Sequence, residues 1–291
     1  MDIRTFTPYR FLLSLGEHHY ANCIPDKIYL GLLYRFRMHR KLNWKSPQTY
    51  TEKLQWLKIH DRKKEYVQYV DKFAVRKFIS RTIGEQYLIP LIGYYRSYDE
   101  IDFTNLPRQF VLKCTHGSHC SVICRNKEEF DIRGNTKRFM KWLQYNYYWM
   151  YREWPYKSVQ PAIICEELLT DNRGNIPIDY KVFCFNGTAE FIKLDLDRFS
   201  NHRRVFMDTN WNQYKFGWGK IADEIPEKPA NLAEMIALSN VLAKDMPQVR
   251  IDWYIVEGKL YFGEITFFDA GGFDKFDSLE KDLQVGSLIR I

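Results

Sequence analysis

Two textures divide the chain. Over residues 25–83 apolar side chains recur at helical spacing. Ile28, Leu32 and Phe36 fall four apart, and Ser46-Pro47 or Thr51 is placed to open a helix through Leu54, Leu57 and Ile59. Beyond "YLIPLIGYY" the pattern shortens to β-rich runs punctuated by turns: "FVLKC", "SVICR", "AIICEELL", "YKVFCF", "AEFIKLDL", "VRIDWYIV" and "KLYFGEITF". Helical stretches are expected at about 135–151 and 232–245. Asn186-Gly187 is a strong turn signal joining "DYKVFCF" to "TAEFIKLDLDR". The expected class is α+β, with antiparallel sheets.

One hairpin raises a chemical question, because "VRIDWYIVEGKLYFGEITFFDAGG" sets Asp252 and Glu264 inside hydrophobic ribbons. A two-residue turn at Glu257-Gly258 would oppose Asp252 to Gly263 and send the two carboxylates to opposite faces. A three-residue connection, or a bulge at Gly258, instead opposes Asp252 to Glu264 and Arg250 to Thr266. The other face then reads Ile251, Trp253, Ile255, Tyr261, Ile265 and Phe267, so alternation selects this second register. Carboxylates opposed at about 5 Å repel unless a cation intervenes. Magnesium between them and neutralisation by Arg250 and Lys259 are both compatible with the pattern.

The 291 residues suffice for two lobes, and a composition 45% hydrophobic and 16% aromatic supports a substantial core. No apolar run approaches the roughly 20 residues of a membrane span, and the N-terminus lacks a signal-peptide pattern, so a cytoplasmic protein is expected. The six cysteines suggest reduced thiols rather than a disulfide framework. Cys114, His116, His119, Cys120 and Cys124 have poor spacing for zinc. A net charge of +7 points to an anionic partner, although the basic runs also read as solvated helix faces.

Three further stretches carry chemistry. "FVLKCTHGSHC" puts Lys113 at a strand end before a Gly117-Ser118 loop, an arrangement that lets a lysine and backbone N–H groups meet phosphate oxygens. The lysine precedes the glycine, so this is not a Walker loop. "AIICEELL" ends a strand on Glu166, Glu167, Leu168 and Leu169, where exposed backbone and a carboxylate suit the edge of adenine; solvated glutamates at a strand edge are the plainer reading. Lys181, in a strand among Tyr180, Val182 and Phe183, needs an anionic partner or a route to water.

In this order, Asp71-Lys72, Lys113 with its loop, "EELL", "DYKVFCFNG…DR" and "RID…GEIT" resemble an ATP-grasp enzyme. More closely, "NWKSPQTYTEKLQWLKIHDR", "LPRQFVLKCTHGS", "IPIDYKVFCFNG" and "VRIDWYIVEGKLYFGEITF" resemble the TupA-like branch, associated with decorating bacterial surface polysaccharides. The likeness covers roughly residues 25–272. It implies an ATP-grasp fold: a helical region over 1–84, a small lobe with the phosphate loop over 85–165, and a large lobe with the metal strands over 166–291. ATP and Mg²⁺ are the implied cofactors. Lys72 and Lys113 would contact phosphates, with Gly117 and Ser118 in the loop, and Glu166 to Leu169 would hold adenine. Asp252, Glu264 and Thr266 match the metal-ligand positions, while Lys181, Arg198 and Arg250 match catalytic ones. Thr266 stands where most members carry asparagine, and His119-Cys120 where many carry glycine.

The activity the resemblance implies is a carboxylate–amine ligase acting through an acyl-phosphate and releasing ADP and phosphate. Its partners would be ATP, an acidic sugar or polysaccharide precursor bearing a uronic acid, and an amino acid, with peripheral contact to the membrane-bound polysaccharide machinery. A sugar kinase on the same fold is one rival. A glycosyltransferase using Asp195 and Asp197 of "LDLDR" is another, although that segment reads as a strand rather than a loop. A nucleic-acid module rests on charge alone.

Overall fold

The computed structural model describes residues 7–196, 203–214, 217–222 and 224–291. Helices α1 (Pro8–Glu17), α2 (Asp26–Met38), α3 (Tyr50–His60), α4 (Tyr66–Val70) and α5 (Val75–Thr82) precede the sheets. The first sheet contains β1 (Leu91–Tyr95), β2 (Phe110–Cys114), β3 (Ser121–Cys124) and β4 (Ile163–Glu166), with α6 (Ile132–Gln144) and α7 (Tyr148–Tyr151) between β3 and β4. The second contains β5 (Asp179–Phe185), β6 (Thr188–Leu196), β7 (Arg203–Asp208), β8 (Gln248–Val256) and β9 (Lys259–Thr266). Helix α8 (Leu232–Leu242) precedes β8, and α9 (Leu279–Ser287) follows β9. The sheet orders are β1-β4-β2-β3 and β7-β6-β5-β8-β9, and all pairings within them are antiparallel. This is the expected α+β class.

Helix α3 is capped by Thr49 rather than by Ser46 or Thr51. Thr49 accepts from the Glu52 N–H, and the Glu52 carboxylate reaches back to the Thr49 N–H, a reciprocal cap. Its buried face is partly polar: Thr51 bonds Asp282 of α9, while Gln55 and Lys58 donate to the carbonyls of Gly271 and Gly272. Those bonds fix the turn after β9, which matters below. Tyr50, Leu54, Leu57, Tyr66, Val70, Val75 and Ile79 join the core under the five-stranded sheet, so α3 to α5 are integral to that lobe.

The four-spaced pattern in α2 gave the right element and the wrong face. Ile28, Leu32 and Phe36 are exposed, whereas Tyr29, Leu30, Leu33 and Tyr34 are buried. Apolar side chains surround this helix, so spacing alone does not choose a side. The inward tyrosines find polar partners for their hydroxyls, Leu12 O and Met150 O for Tyr29, and the Thr51 hydroxyl for Tyr34. The helix expected at 135–151 is two, interrupted where the Asn146 side chain accepts from the Tyr148 N–H. Strands β1 and β7 were not anticipated.

The β8–β9 hairpin corrects the sequence reading in detail. Glu257 and Gly258 both have positive φ and form a two-residue turn with Val256 paired to Lys259. Trp253 accordingly pairs with Phe262, yet Ile251 pairs with Ile265 and Arg250 with Thr266. One residue, Asp252, therefore opposes two, Gly263 and Glu264, so the bulge lies beside Asp252 and not at Gly258. Glycine suits that point, since a Cβ on Gly263 would meet the Asp252 carbonyl oxygen at 3.1 Å. Tyr261 pairs with Tyr254 rather than joining Trp253, and Leu260 and Phe262 are buried in its place.

Candidate active site

Both sheets contribute to one cleft of about 630 Å³. Lys72, Lys113, Gly117, Ser118, Glu166, Lys181, Arg250, Asp252, Glu264 and Thr266 all line it, so ten positions separated along the chain converge. Glu167 and Leu168 border a separate surface depression with Arg108 and Arg125, and Glu167 is exposed. Leu169 lines neither. Arg198 lies outside the described residues.

On the small-sheet side, β2 and β3 form a hairpin with Lys113 opposite Ser121, and the glycine loop closes it. Lys113 Nζ is 2.8 Å from Glu166 Oε2, and Arg76 reaches the other oxygen at 3.1 Å. Glu166 is therefore a buried ion-paired carboxylate, contrary to the solvated-edge alternative. Lys72 ties the walls together. Its Nζ donates to the Gly117 carbonyl at 2.6 Å and lies 3.8 Å from Glu264 Oε2.

The opposite wall is one face of the five-stranded sheet. Pairing sets Lys181 opposite Asp252 and Lys193, Asp179 opposite Asp195, and Arg250 opposite Thr266, so side chains two apart on each strand share this face. Arg250 is central: its fork holds Asp252 at 2.6 and 2.7 Å, reaches Glu264 at 2.8 Å, and bonds Asp269. Lys181 bonds Asp179 and holds Asp252 at 3.0 Å, with Asp195 at 3.6 Å. Lys193 holds Asp269 at 2.8 Å. Lys259, by contrast, is exposed against the Tyr261 ring and does not neutralise this cluster.

Burial opposes charge throughout this wall, but the partners outweigh it at several groups. Arg250 stays charged because Asp252, Asp269 and Glu264 overcome its desolvation, and Lys181 because Asp252 and Asp179 do. Burial also acts on Glu264, yet Lys72, Arg250 and Lys181 bring its carboxyl down to about 2. At Asp252 burial prevails and pushes the carboxyl up, against Arg250 and Lys181.

Asp252, Glu264 and the Thr266 hydroxyl present oxygen donors only, the set a hard divalent cation takes. Glu264 remains about a third exposed, and its Oε2 stands beyond hydrogen-bond distance of Lys72, leaving lone pairs turned to the cleft. The residues fit magnesium in that sense. Among the described residues no group of three or more His, Cys, Asp or Glu side chains is assembled for a metal. Arg250 bridges the two carboxylates.

Sequence reasoning missed Asp179, Lys193, Asp269, Arg204 and Glu153, which also line the cleft. Alternation would have found the first two, since Asp179-x-Lys181 and Lys193-x-Asp195 put charges on one face of strands joined by a recognised turn. Asp269 and Glu153 lie in short 3₁₀ segments or their caps, where no period signals them.

The TupA-like ATPgrasp family profile matches residues 52–290. No curated protein sequence matches the chain. Solved structures with a similar course include D-alanine–D-alanine ligase from Bacillus anthracis complexed with ATP, at 15% identity and a TM-score of 0.41 over 76% of this chain and 60% of that one. The Helicobacter pylori D-alanine–D-alanine ligase aligns at 12% identity and a TM-score of 0.47 over 82% and 69%. Phosphoribosylamine–glycine ligase from Thermotoga maritima gives 12% and 0.42 over 69% and 48%. The chain thus spans less than two thirds of the first and third of these ligases.

Proposed function

The chain belongs to the TupA-like ATP-grasp family, and from that premise we propose an ATP-dependent carboxylate–amine ligase that joins a uronic-acid carboxylate of a cell-surface polysaccharide precursor to an amino acid. The observation that carries this reading is the cleft itself, where Lys72 and Lys113 line one cavity with the ion-paired wall of Lys181, Arg250, Asp252 and Glu264.

Lys72 and Lys113 would bind the phosphates of ATP, Lys113 exchanging part of its Glu166 contact for phosphate oxygen while Arg76 keeps Glu166 paired. The loop at Gly117 and Ser118 would orient the phosphates, and Glu166 would face the nucleotide. Asp252, Glu264 and Thr266 would hold Mg²⁺, which when bound neutralises charge on the transferring phosphoryl group. Lys181 and Arg250 fix the Asp252 carboxylate from two sides, so it is oriented before substrate arrives. A bound carboxylate would attack the γ-phosphorus to give an acyl-phosphate and ADP, and an amine would displace the phosphate. The net charge of +7 suits an acidic acceptor.

Incubation with Mg²⁺-ATP, glucuronic acid and pooled amino acids is expected to release ADP and phosphate only when both acceptors are present. A stable phosphorylated sugar formed without amino acid would replace ligation with kinase chemistry.

A further inference from the structure

Among the buried acids of the cleft, one stands apart; Asp274, which also lines it without a side-chain partner among the described residues, is only half-buried. Glu153 is 3% exposed and lines the cavity, yet among the described residues no hydrogen bond or ion pair reaches its carboxylate. Every other buried acid near it is held: Asp252 and Asp269 by Arg250, Asp179 by Lys181, and Glu166 by Lys113 and Arg76. An uncompensated buried carboxylate costs several kcal/mol, so the fold tolerates a disadvantage at this position.

Local structure forces that placement. Arg152 adopts the left-handed conformation, φ 54°, and is fully buried against the rings of Tyr29, Tyr148 and Trp149. Its neighbour Glu153 then stands at the N-cap position of the 3₁₀ turn Trp154–Ser158, where its backbone carbonyl rather than its side chain accepts a bond, from the Tyr156 N–H, and Tyr147 and Tyr156 also line the cavity. From α3, Lys58 approaches, but its ammonium is committed to Gln55 Oε1, Tyr151 O and Gly271 O at 3.0, 2.9 and 2.6 Å. Lys58 therefore offers Glu153 a field rather than a bond. Asp269 from the turn after β9, Arg250 from β8, Glu264 from β9, and the hydroxyls of Tyr147, Tyr151 and Tyr156 complete the titratable surroundings.

We propose that Glu153 is the acceptor-side base: it binds the incoming ammonium of the amine substrate and takes one proton from it. This deepens the ligase reading and rests on it. A bare carboxylate in a cavity of polar walls is what an alkylammonium needs for a charge-assisted hydrogen bond. Glu153 accepts a proton from R–NH₃⁺, leaving R–NH₂ and the neutral acid. The amine lone pair then forms the C–N bond, the C–O bond to phosphate breaks with its electrons leaving on phosphate, and phosphate takes the surplus proton. Glu153 afterwards returns its proton to water. Burial pushes this carboxyl up to about 7 against the pull of Lys58, which matches the basicity the step requires near neutrality.

Two nucleophiles separate this role from a structural one. Hydroxylamine is unprotonated at pH 7.5 and needs no base, whereas amino acids arrive as ammonium. With Mg²⁺-ATP and glucuronic acid, E153Q is expected to lose about 100-fold in amino-acid-dependent ADP release, and less than a tenth as much in hydroxylamine-dependent release. E153D, which keeps a carboxylate, should recover part of the first rate. Equal losses with both nucleophiles, or no loss with either, would overturn the assignment. If wild-type protein forms neither hydroxamate nor amide, the ligase reading itself fails, and the Glu153 role with it. If E153Q does not fold, the same ratio measured in E153D decides the matter: a selective deficit with amino acids supports the base, and a uniform one overturns it.

Discussion

The wall formed by β8, β9 and β5 and the short segment carrying Glu153 both bury acids beside the same cleft, but they treat them oppositely. On the sheet wall Asp252 receives two donors from Arg250 and one from Lys181, and Asp269 receives Arg250 and Lys193. On the Glu153 side the cation that acts on it most, Lys58, is occupied by carbonyls and an amide. Where charges are mutually satisfied, removing one exposes the rest. Where a charge is unsatisfied, removing it relieves the fold of burying that charge, at the cost here of the support Glu153 gives the buried Lys58 ammonium, and removes what that charge does for a ligand.

The largest effect is expected at Arg250, whose loss leaves Asp252, Asp269 and Glu264 facing one another. Arg250→Met should destabilise the protein by about 3–5 kcal/mol, read by urea unfolding; an unchanged midpoint would show that the cluster is not what organises this wall. Glu264→Gln comes next. Because Glu264 is about a third exposed, the fold should persist, while ATP turnover falls about 100-fold or more; normal turnover would remove Glu264 from the metal set.

A pH titration sharpens the contrast. The Glu153 carboxyl is raised from 4.5 to about 7 in the fold. Its protonated form therefore contributes stability that is complete below about pH 4.5 and lost as pH rises through 7. Glutamine has no charge to bury, so the melting temperature of Glu153→Gln should gain on that of wild type between pH 5 and 8. Glu264 behaves conversely: held at about 2, it contributes above about pH 4.5 and is lost only as pH falls towards 2. A melting difference for Glu153→Gln that is flat from pH 5 to 8 would contradict the unpaired state of that acid. The smallest effect is expected from Thr266→Asn, which should leave turnover within about threefold or lower the magnesium requirement, since it exchanges one oxygen donor for another.

The strength of the sequence signal followed the regularity of the local structure. The Asn186-Gly187 hairpin was legible because both turn residues accept positive φ, and the hydrophobic alternation of β8 and β9 correctly put Asp252 and Glu264 on one face. The bulge that accomplishes this was misplaced, because "LYFGEIT" alternates acceptably on either side of Gly263 and only the folded register decides. In α2, apolar residues on all sides hid the buried face. Glu153 was invisible for another reason: it sits between a left-handed arginine and a 3₁₀ turn, where no periodicity exists and where tertiary packing of Arg152 fixes the direction of its neighbour.

On the proposed reading Lys72 and Lys113 bind the phosphates of ATP in this cleft, with magnesium at the β8–β9 carboxylates. Titration calorimetry of ATP against wild type and Lys113→Ala, each with and without Mg²⁺, tests it most directly. Magnesium-dependent binding is expected in wild type and a loss of about 10-fold or more in the variant, equivalent to ~1.5–3 kcal/mol for a hydrogen bond to a charged group; Arg76 still pairs Glu166, so the variant keeps its fold at a lowered melting temperature. Equal affinity in the two proteins, or binding indifferent to Mg²⁺, would contradict it.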